Sequence, residues 1–431
     1  MNELSDLANE LEYSEIIKLE FYVQEQLAKG KDICDLIIGD FDTNRFPMPD
    51  YLREKIQQAY DHRHNDYPPL EGVSSLREEV AKLSKKTFLV DYDPDGEILI
   101  SGGARPLLYT ALLTLVSAGE SVIYPTPSWN NMFYAMLCGA KPVPIETSAK
   151  NNFLPTANDL KQHIKTARVI ALCSPQNPIG AMFTKNMLEE ICDLVLAENK
   201  RRLVVNQKPL YVIYDQVYWM LTLQNVEHYN PITLRPEIKE YLIVVDAGTK
   251  SFAATGIRVG WAMGPKQIIG KMQLMLEHIG AMAPKAEQLA TAVLLQNTEY
   301  LGNYLNTFKQ KILSAMSVLH AGIQEMKAQG LPVDSFMPMA GIYMSLKLNV
   351  ENMQMPSGKK IQNSNDVSVY LIEQAGFAIV PFASFGCTSI ESEQWFRAAV
   401  CTIAPEEIEA ALPRIKAALQ ALSTELVLLE A

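Results

Sequence analysis

Residues 241–263 read YLIVVDAGTKSFAATGIRVGWAM. The run 241–245 is apolar and rich in β-branched residues, which predicts a buried strand. The run 258–263 predicts a second one. Between them small residues surround Lys250, with Gly256, Arg258 and Gly260 behind it. A lysine held among apolar groups at a strand end can lose its proton and attack a carbonyl. An arginine with small neighbours offers a fork of donors that matches phosphate oxygens. A solvated turn lysine and a surface arginine are the plain alternative, and this segment alone does not decide between them.

Outward from this stretch the same pattern repeats. Short apolar runs occur at 97–100, 121–124, 141–145, 168–173 and 210–214. Helical spacing separates several of them, for example at 106–117 and 185–199. Buried strands alternating with helices predict an α/β fold, a mostly parallel sheet with helices on both faces. On the N-terminal side, 14–29 predicts a helix stopped by Gly30, and 32–38 a short strand running into Gly39. Residues 74–86 predict a helix capped by Ser74. On the C-terminal side, 285–328 predicts one long, largely helical connection. Strands are expected at 341–347, 376–380 and about 394–401, then a helix at 405–423 with Pro405, Glu406 and Glu407 in its first turn. Carboxylates there suit the helix dipole. This tail predicts a smaller α+β domain. The expected division is an N-terminal arm with part of the small domain at 1–55, a large domain at 56–300, and the small domain proper at 301–431.

Composition sets the limits. The chain has 431 residues, 48% hydrophobic and 20% charged. That is close to a globular average and excludes disorder or coiled coil as a whole-chain description. With 38 basic and 49 acidic side chains the net charge is −11, which argues against a nucleic-acid partner. No apolar run approaches the ~20 residues that span a bilayer. The start of the chain is acidic, without a basic-then-apolar leader. The six cysteines are scattered, with no CxxC pair. Reduced thiols in the cytoplasm are therefore expected, and no metal site, since the six histidines form no ligand motif.

The segment T-K-S-F-x-x-x-G-x-R-x-G at 249–260 resembles the lysine motif of the class I and II aminotransferases, pyridoxal-phosphate enzymes of fold type I. Further pieces of that family's pattern follow in order. Residues 67–77 (YPPLEGVSSLR) resemble its Y-x-x-x-x-G-x-x-x-L-R segment, and 101–108 (SGGARPLL) its glycine-rich turn. Residues 124–129 (YPTPSW) are similar to Y-P-x-P-x-aromatic, and 174–180 (SPQNPIG) to S-P-x-N-P-x-G. Residues 214–218 (YDQVY) carry D-x-x-Y, and Phe396-Arg397 lies where the family has its C-terminal arginine.

The resemblance implies a cofactor, pyridoxal 5'-phosphate, and a role for each matching residue. Lys250 would carry the cofactor, with Thr249 as the hydroxylic neighbour common there. Arg258 would hold the phosphate together with the turn Gly103, Ala104 and Arg105. Tyr67 would reach the phosphate in the neighbouring subunit, which implies a homodimer. Trp129 would stack on the pyridine, Asp215 would pair with its nitrogen, and Tyr218 and Asn177 would contact its 3′ oxygen. Arg397 would take the substrate carboxylate, with Asn177 and Gly39 beside it. Amino acids and 2-oxo acids are the implied substrates, and which ones is left open. Lys250, Asp215 and Tyr218 form the expected catalytic set.

Three departures stand out. Ala247 replaces a serine that often helps hold the phosphate, Arg105 occupies a position that is usually small and hydroxylic, and Phe382 replaces a glycine. Arg105 is expected to replace the lost hydroxyl as a phosphate ligand. Arg45 is expected to be a solvated loop arginine rather than a substrate ligand. A carbon–sulfur β-lyase would need the same motifs, so it is the alternative to transamination. A non-catalytic binder of the cofactor is the less favoured third reading. A nicotinamide dehydrogenase is disfavoured because no GxGxxG follows a strand.

Overall fold

The computed structural model describes residues 3–223 and 226–423. Strand β1 (Cys34–Asp35) lies in the N-terminal arm. A seven-stranded sheet follows, made of β2 (Ile98–Ser101), β3 (Ser121–Thr126), β4 (Lys141–Glu146), β5 (Ala167–Cys173), β6 (Tyr211–Asp215), β7 (Leu242–Ala247) and β8 (Gly260–Met263). Its order is β2-β8-β7-β6-β5-β3-β4, and only β8 runs against its neighbours. The predicted strands are all present, displaced by no more than two residues at any end. β2, β7 and β8 are buried along their whole length, which explains why they read as unbroken apolar runs rather than alternating ones.

The remaining strands are β9 (Val333–Phe336), β10 (Tyr343–Leu348), β11 (Phe377–Ala378), β12 (Val380–Pro381) and β13 (Trp395–Ala399). Four of them form an antiparallel sheet in the order β12-β13-β10-β9. β11 instead pairs in parallel with β1, so the arm is tied to the C-terminal part of the chain. Among the described residues no helix is long and apolar enough to cross a membrane.

Local differences from the sequence reading have physical causes. Ser74 is the first residue of the helix Ser74–Phe88 and not its cap. The Val73 N–H donates instead to Gln288 Oε1 at 2.8 Å, from the helix Lys285–Gln296 packed alongside. The long helical connection is two helices, Lys285–Gln296 and Thr298–Ala328, broken at Asn297, whose side chain caps the second by accepting from the Tyr300 N–H. Only two residues of the expected strand at 32–38 join a ladder, because β11 offers only two partners. The last helix, Pro405–Gln420, stops three residues short of the expected end, and Ser423 pairs with Gln354.

The registers decide where chemistry can occur. Cys173 pairs with Asp215, and Asp215 with Val245, so the carboxyl ends of β5, β6 and β7 form one edge. Ligands of open α/β sheets bind outside that edge. In the small sheet Ser345 pairs with Arg397, and Tyr343 with Ala399, which aligns Tyr343 and Arg397 near one end of the neighbouring strands β10 and β13.

Candidate active site

A cavity of about 420 Å³ opens at the carboxyl edge of the large sheet. It is lined by Gly39, Ala104, Arg105, Trp129, Asn177, Asp215, Tyr218, Thr249, Lys250, Arg258 and Arg397, which are eleven of the expected residues. Gly103 is not among the lining residues, but it abuts the Arg258 guanidinium. Tyr67 does not line the cavity; its side chain is 87% exposed.

Lys250 lies in a four-residue helical turn, Gly248–Ser251, that follows β7 without a break. Its ammonium donates to the Gly39 carbonyl and lies 6.0 Å from the centre of the Phe41 ring. A methyl group at Gly39 would stand 2.1 Å from the Tyr343 hydroxyl, so no larger residue fits there as the site is built.

One end of the cavity is built for an anion. The helix Ala104–Leu115 begins at Gly103, which has φ +97° and leaves the first N–H groups without a side-chain cap. Such an end attracts negative charge. Arg258 is held at φ +55°, a left-handed conformation uncommon outside glycine. Its guanidinium donates to Thr255 O at 2.8 Å and Gly102 O at 3.0 Å. A Cβ at Gly103 would stand 2.5 Å from that guanidinium, and φ +97° strains any residue other than glycine there. Burial lowers the Arg258 pKa from the ordinary arginine value, and the charge of Arg105 lowers it further. Arg105 is exposed, with its guanidinium 5.1 Å from the centre of the Trp129 ring. Two like charges beside a helix N-terminus are a set of donors for an anion with several oxygens.

At the sheet edge Asp215 accepts the Val217 N–H at 3.1 Å. No arginine, lysine or histidine among the described residues pairs with it. Burial pushes its carboxyl up to about 6, and the Val217 bond acts the other way. Behind it, Asp246 is 2% exposed and accepts from Trp219 Nε1 at 2.6 Å, the Ala247 N–H at 2.7 Å and Gln216 Nε2 at 3.4 Å.

The opposite end holds Arg397, 2% exposed. Its guanidinium lies between the rings of Tyr343 (4.6 Å) and Phe385 (4.9 Å). It donates to Asn177 Oδ1 at 3.2 Å and to the Ile37 carbonyl, and its Nε is buried with no partner. Burial lowers its pKa, with Tyr343 and Tyr218 opposing. No carboxylate among the described residues pairs with it, although a buried cation ordinarily needs one.

Several residues here were not read from the sequence. Ile16, Ile17, Ile38, Ser128, Asn131, Tyr134 and Tyr343 also line the cavity, and Asp246 was not singled out either. Arg45 donates to the Ile403 carbonyl and rests on the Phe46 ring, away from the cavity. Phe382, the departure from glycine, is fully buried against Phe153 and Trp395 and serves packing.

Known proteins resemble the chain over nearly its whole length. A family model described as aminotransferase class I and II matches residues 31–415. An aspartate aminotransferase of Rhizobium meliloti is 27% identical over 413 residues, 95% of this chain and 94% of that protein. A probable aspartate/prephenate aminotransferase of Rickettsia bellii (strain RML369-C) is 28% identical over 394 residues, 90% of this chain and 92% of that protein. The crystal structure of the aspartate aminotransferase from Rhizobium meliloti superposes with a TM-score of 0.87 at 25% identity, covering 98% of this chain and 100% of that one.

Proposed function

The chain belongs to the aminotransferase class I and II family, pyridoxal-phosphate enzymes that move an amino group from an amino acid to a 2-oxo acid, and on that premise we propose which residues do the work. The observation that carries the assignment is one cavity lined by Lys250, Asp215, Arg258 and Arg397 together. The residues fit the cofactor. Arg258, Arg105 and the amides at Ala104 and Arg105 offer donors for a phosphate, while the Gly103 N–H is taken by the Ser101 carbonyl at 2.7 Å; Asp215 offers an unpaired acceptor for a ring N–H. Asn177 and Tyr218 offer donors for a ring oxygen, and Trp129 a flat face for the ring.

When bound, the protonated pyridine supplies an electron sink for the pair left behind as the substrate loses its α-proton. Asp215 holds that ring nitrogen protonated, since a carboxylate beside a cation favours both charges. Its ordinary weakness as an anion here, a consequence of burial, is offset once the cation is present. Lys250 Nζ holds the cofactor between turnovers and then moves the proton taken from the substrate's α-carbon. Arg397 grips the substrate carboxylate with two donors, and Asn177 and Gly39 shape the space beside it.

The relatives' names make aspartate the first amino donor to test and prephenate the first 2-oxo acid. Arg105 is the exposed cation at the cavity that remains for a phosphate or a second carboxylate. A homodimer accounts for the exposure of Tyr67, which in this reading reaches the partner's site. The exposed Leu4, Leu7, Tyr13 and Phe21 of the arm support the same surface. Six free cysteines suit a reducing cytoplasm. The pairing of β1 with β11 supports grouping 1–55 with 301–431, around a large domain at 56–300.

Lys250→Ala tests the assignment. The purified variant should lose turnover, by a factor of at least about 10⁴, and lose the visible absorption of lysine-held cofactor. Full transamination by this variant would remove Lys250 from its role.

A further inference from the structure

Tyr343 opens β10 and carries no motif, yet it meets Arg397, Tyr218 and Asn177 of the site. It is 2% exposed. Its ring lies against the Arg397 guanidinium. Its hydroxyl is 2.9 Å from the Tyr218 hydroxyl and 3.4 Å from Asn177 Nδ2. The missing side chain of Gly39 makes room for that hydroxyl.

Counting protons fixes the direction of the bonds that run through Asn177. Arg397 has donors only, so its bond to Asn177 fixes Oδ1 on the arginine side and turns Nδ2 toward Tyr343. The Tyr343 oxygen accepts from that amide. The bond between the two hydroxyls can run either way, since each has one proton and room to accept. With the Tyr343 proton directed to the Tyr218 oxygen, Tyr218 spends an acceptor position and keeps its own proton for the cavity. In a buried site such a chain of bonds polarises each member, so the last donor is strengthened.

We propose that Tyr343 is a positioning residue of this active site: its hydroxyl aims the Tyr218 O–H into the cavity, and its ring backs the Arg397 guanidinium. The proposal rests on the reading above, in which Tyr218 meets the cofactor's 3′ oxygen and Arg397 the substrate carboxylate. A donor aimed at that oxygen drains charge from it and makes the Lys250 nitrogen, while it holds the cofactor, a weaker base.

The two parts of the side chain separate by substitution. Tyr343→Phe keeps the ring and removes the hydroxyl. In the holoenzyme the pH midpoint of the visible absorption should rise by roughly 0.5–1 unit, the size of one lost hydrogen bond. The KM for the amino donor should stay within about threefold, because the ring remains against Arg397. Tyr343→Leu removes both parts, so KM should rise by about tenfold or more in addition. An unchanged or lowered midpoint in Tyr343→Phe overturns the proposal, and that variant decides alone if the leucine variant fails to fold. Failure of the underlying reading shows differently: Lys250→Ala would then keep the visible absorption that wild type and Tyr343→Phe share.

Discussion

Asp215 and Asp246 stand at the ends of neighbouring strands, and both carboxyls are raised by burial, Asp215 to about 6 and Asp246 to about 7. Their surroundings differ. Asp246 has three protein donors, while Asp215 has one and faces the cavity. A buried polar group without partners is costly, so a fold completes such groups unless a ligand will do so. The supplied aspartate therefore belongs to the scaffold and the under-supplied one to the chemistry. The arginines repeat the lesson. Arg202, 2% exposed, bonds to Glu198 and to three backbone carbonyls. Arg397, equally buried, keeps a bare Nε and no counter-ion among the described residues.

The sharpest way to break this contrast is to neutralise each aspartate. Asp215→Asn should lower kcat by about 10²–10⁴ with cofactor still bound, because the ring nitrogen loses its anion. Asp246→Asn should stay within about tenfold of wild type, since an amide oxygen can still accept from Trp219. Steady-state rates on matched holoenzymes check both, and equal losses would dissolve the distinction.

The two cavity arginines come next. Arg397→Leu should lower kcat/KM for the amino donor by about 10²–10³, the cost of losing a charge-assisted pair, and leave cofactor affinity within a few-fold. Arg105→Ala should do the reverse on a smaller scale, weakening cofactor binding by about 3–10-fold, because an exposed charge is screened. Equilibrium dialysis of the cofactor against both variants measures this. If Arg105→Ala leaves cofactor affinity unchanged, Arg105 does not replace the hydroxyl missing at Ala247.

What could be read from the chain and what could not follow the same logic. Six strands of the large sheet were legible because burial on both faces imposes apolar runs on a local stretch, while β4, at the sheet edge, is largely exposed. Lys250, Asp215, Asn177 and Arg397 were singled out because each sits in a short stretch that resembles a family motif, and the fold gathers them at one cavity. Tyr343 and Asp246 were not. Tyr343 meets Asn177 across 166 positions and Tyr218 across 125, so its place depends on how two sheets meet. Asp246 reads as one more residue of the run before Lys250, and the side chains that supply it, Trp219 and Gln216, lie 27 and 30 positions away. Ser74 failed for a related reason. The cap position of that helix falls one residue earlier, at Val73, whose own N–H is held by Gln288, 215 positions further on.

The smallest effect concerns stability. The folded-state pKa of Asp246, about 7, lies above the ordinary carboxylate value near 4. The folded chain therefore keeps a proton that the unfolded chain releases. Stability from this group is fully present below about pH 4 and is lost as pH rises through 7. Asp215 adds a loss of the same sign between about 4 and 6, but it is present in both wild type and Asp246→Asn, so their difference isolates Asp246. On cofactor-free protein, raising the pH from 5 to 8 should lower the wild-type thermal midpoint by a few degrees more than that of Asp246→Asn. Parallel curves would mean that Trp219, Ala247 and Gln216 already hold Asp246 as an anion, and that its supply of donors is complete enough to offset burial outright.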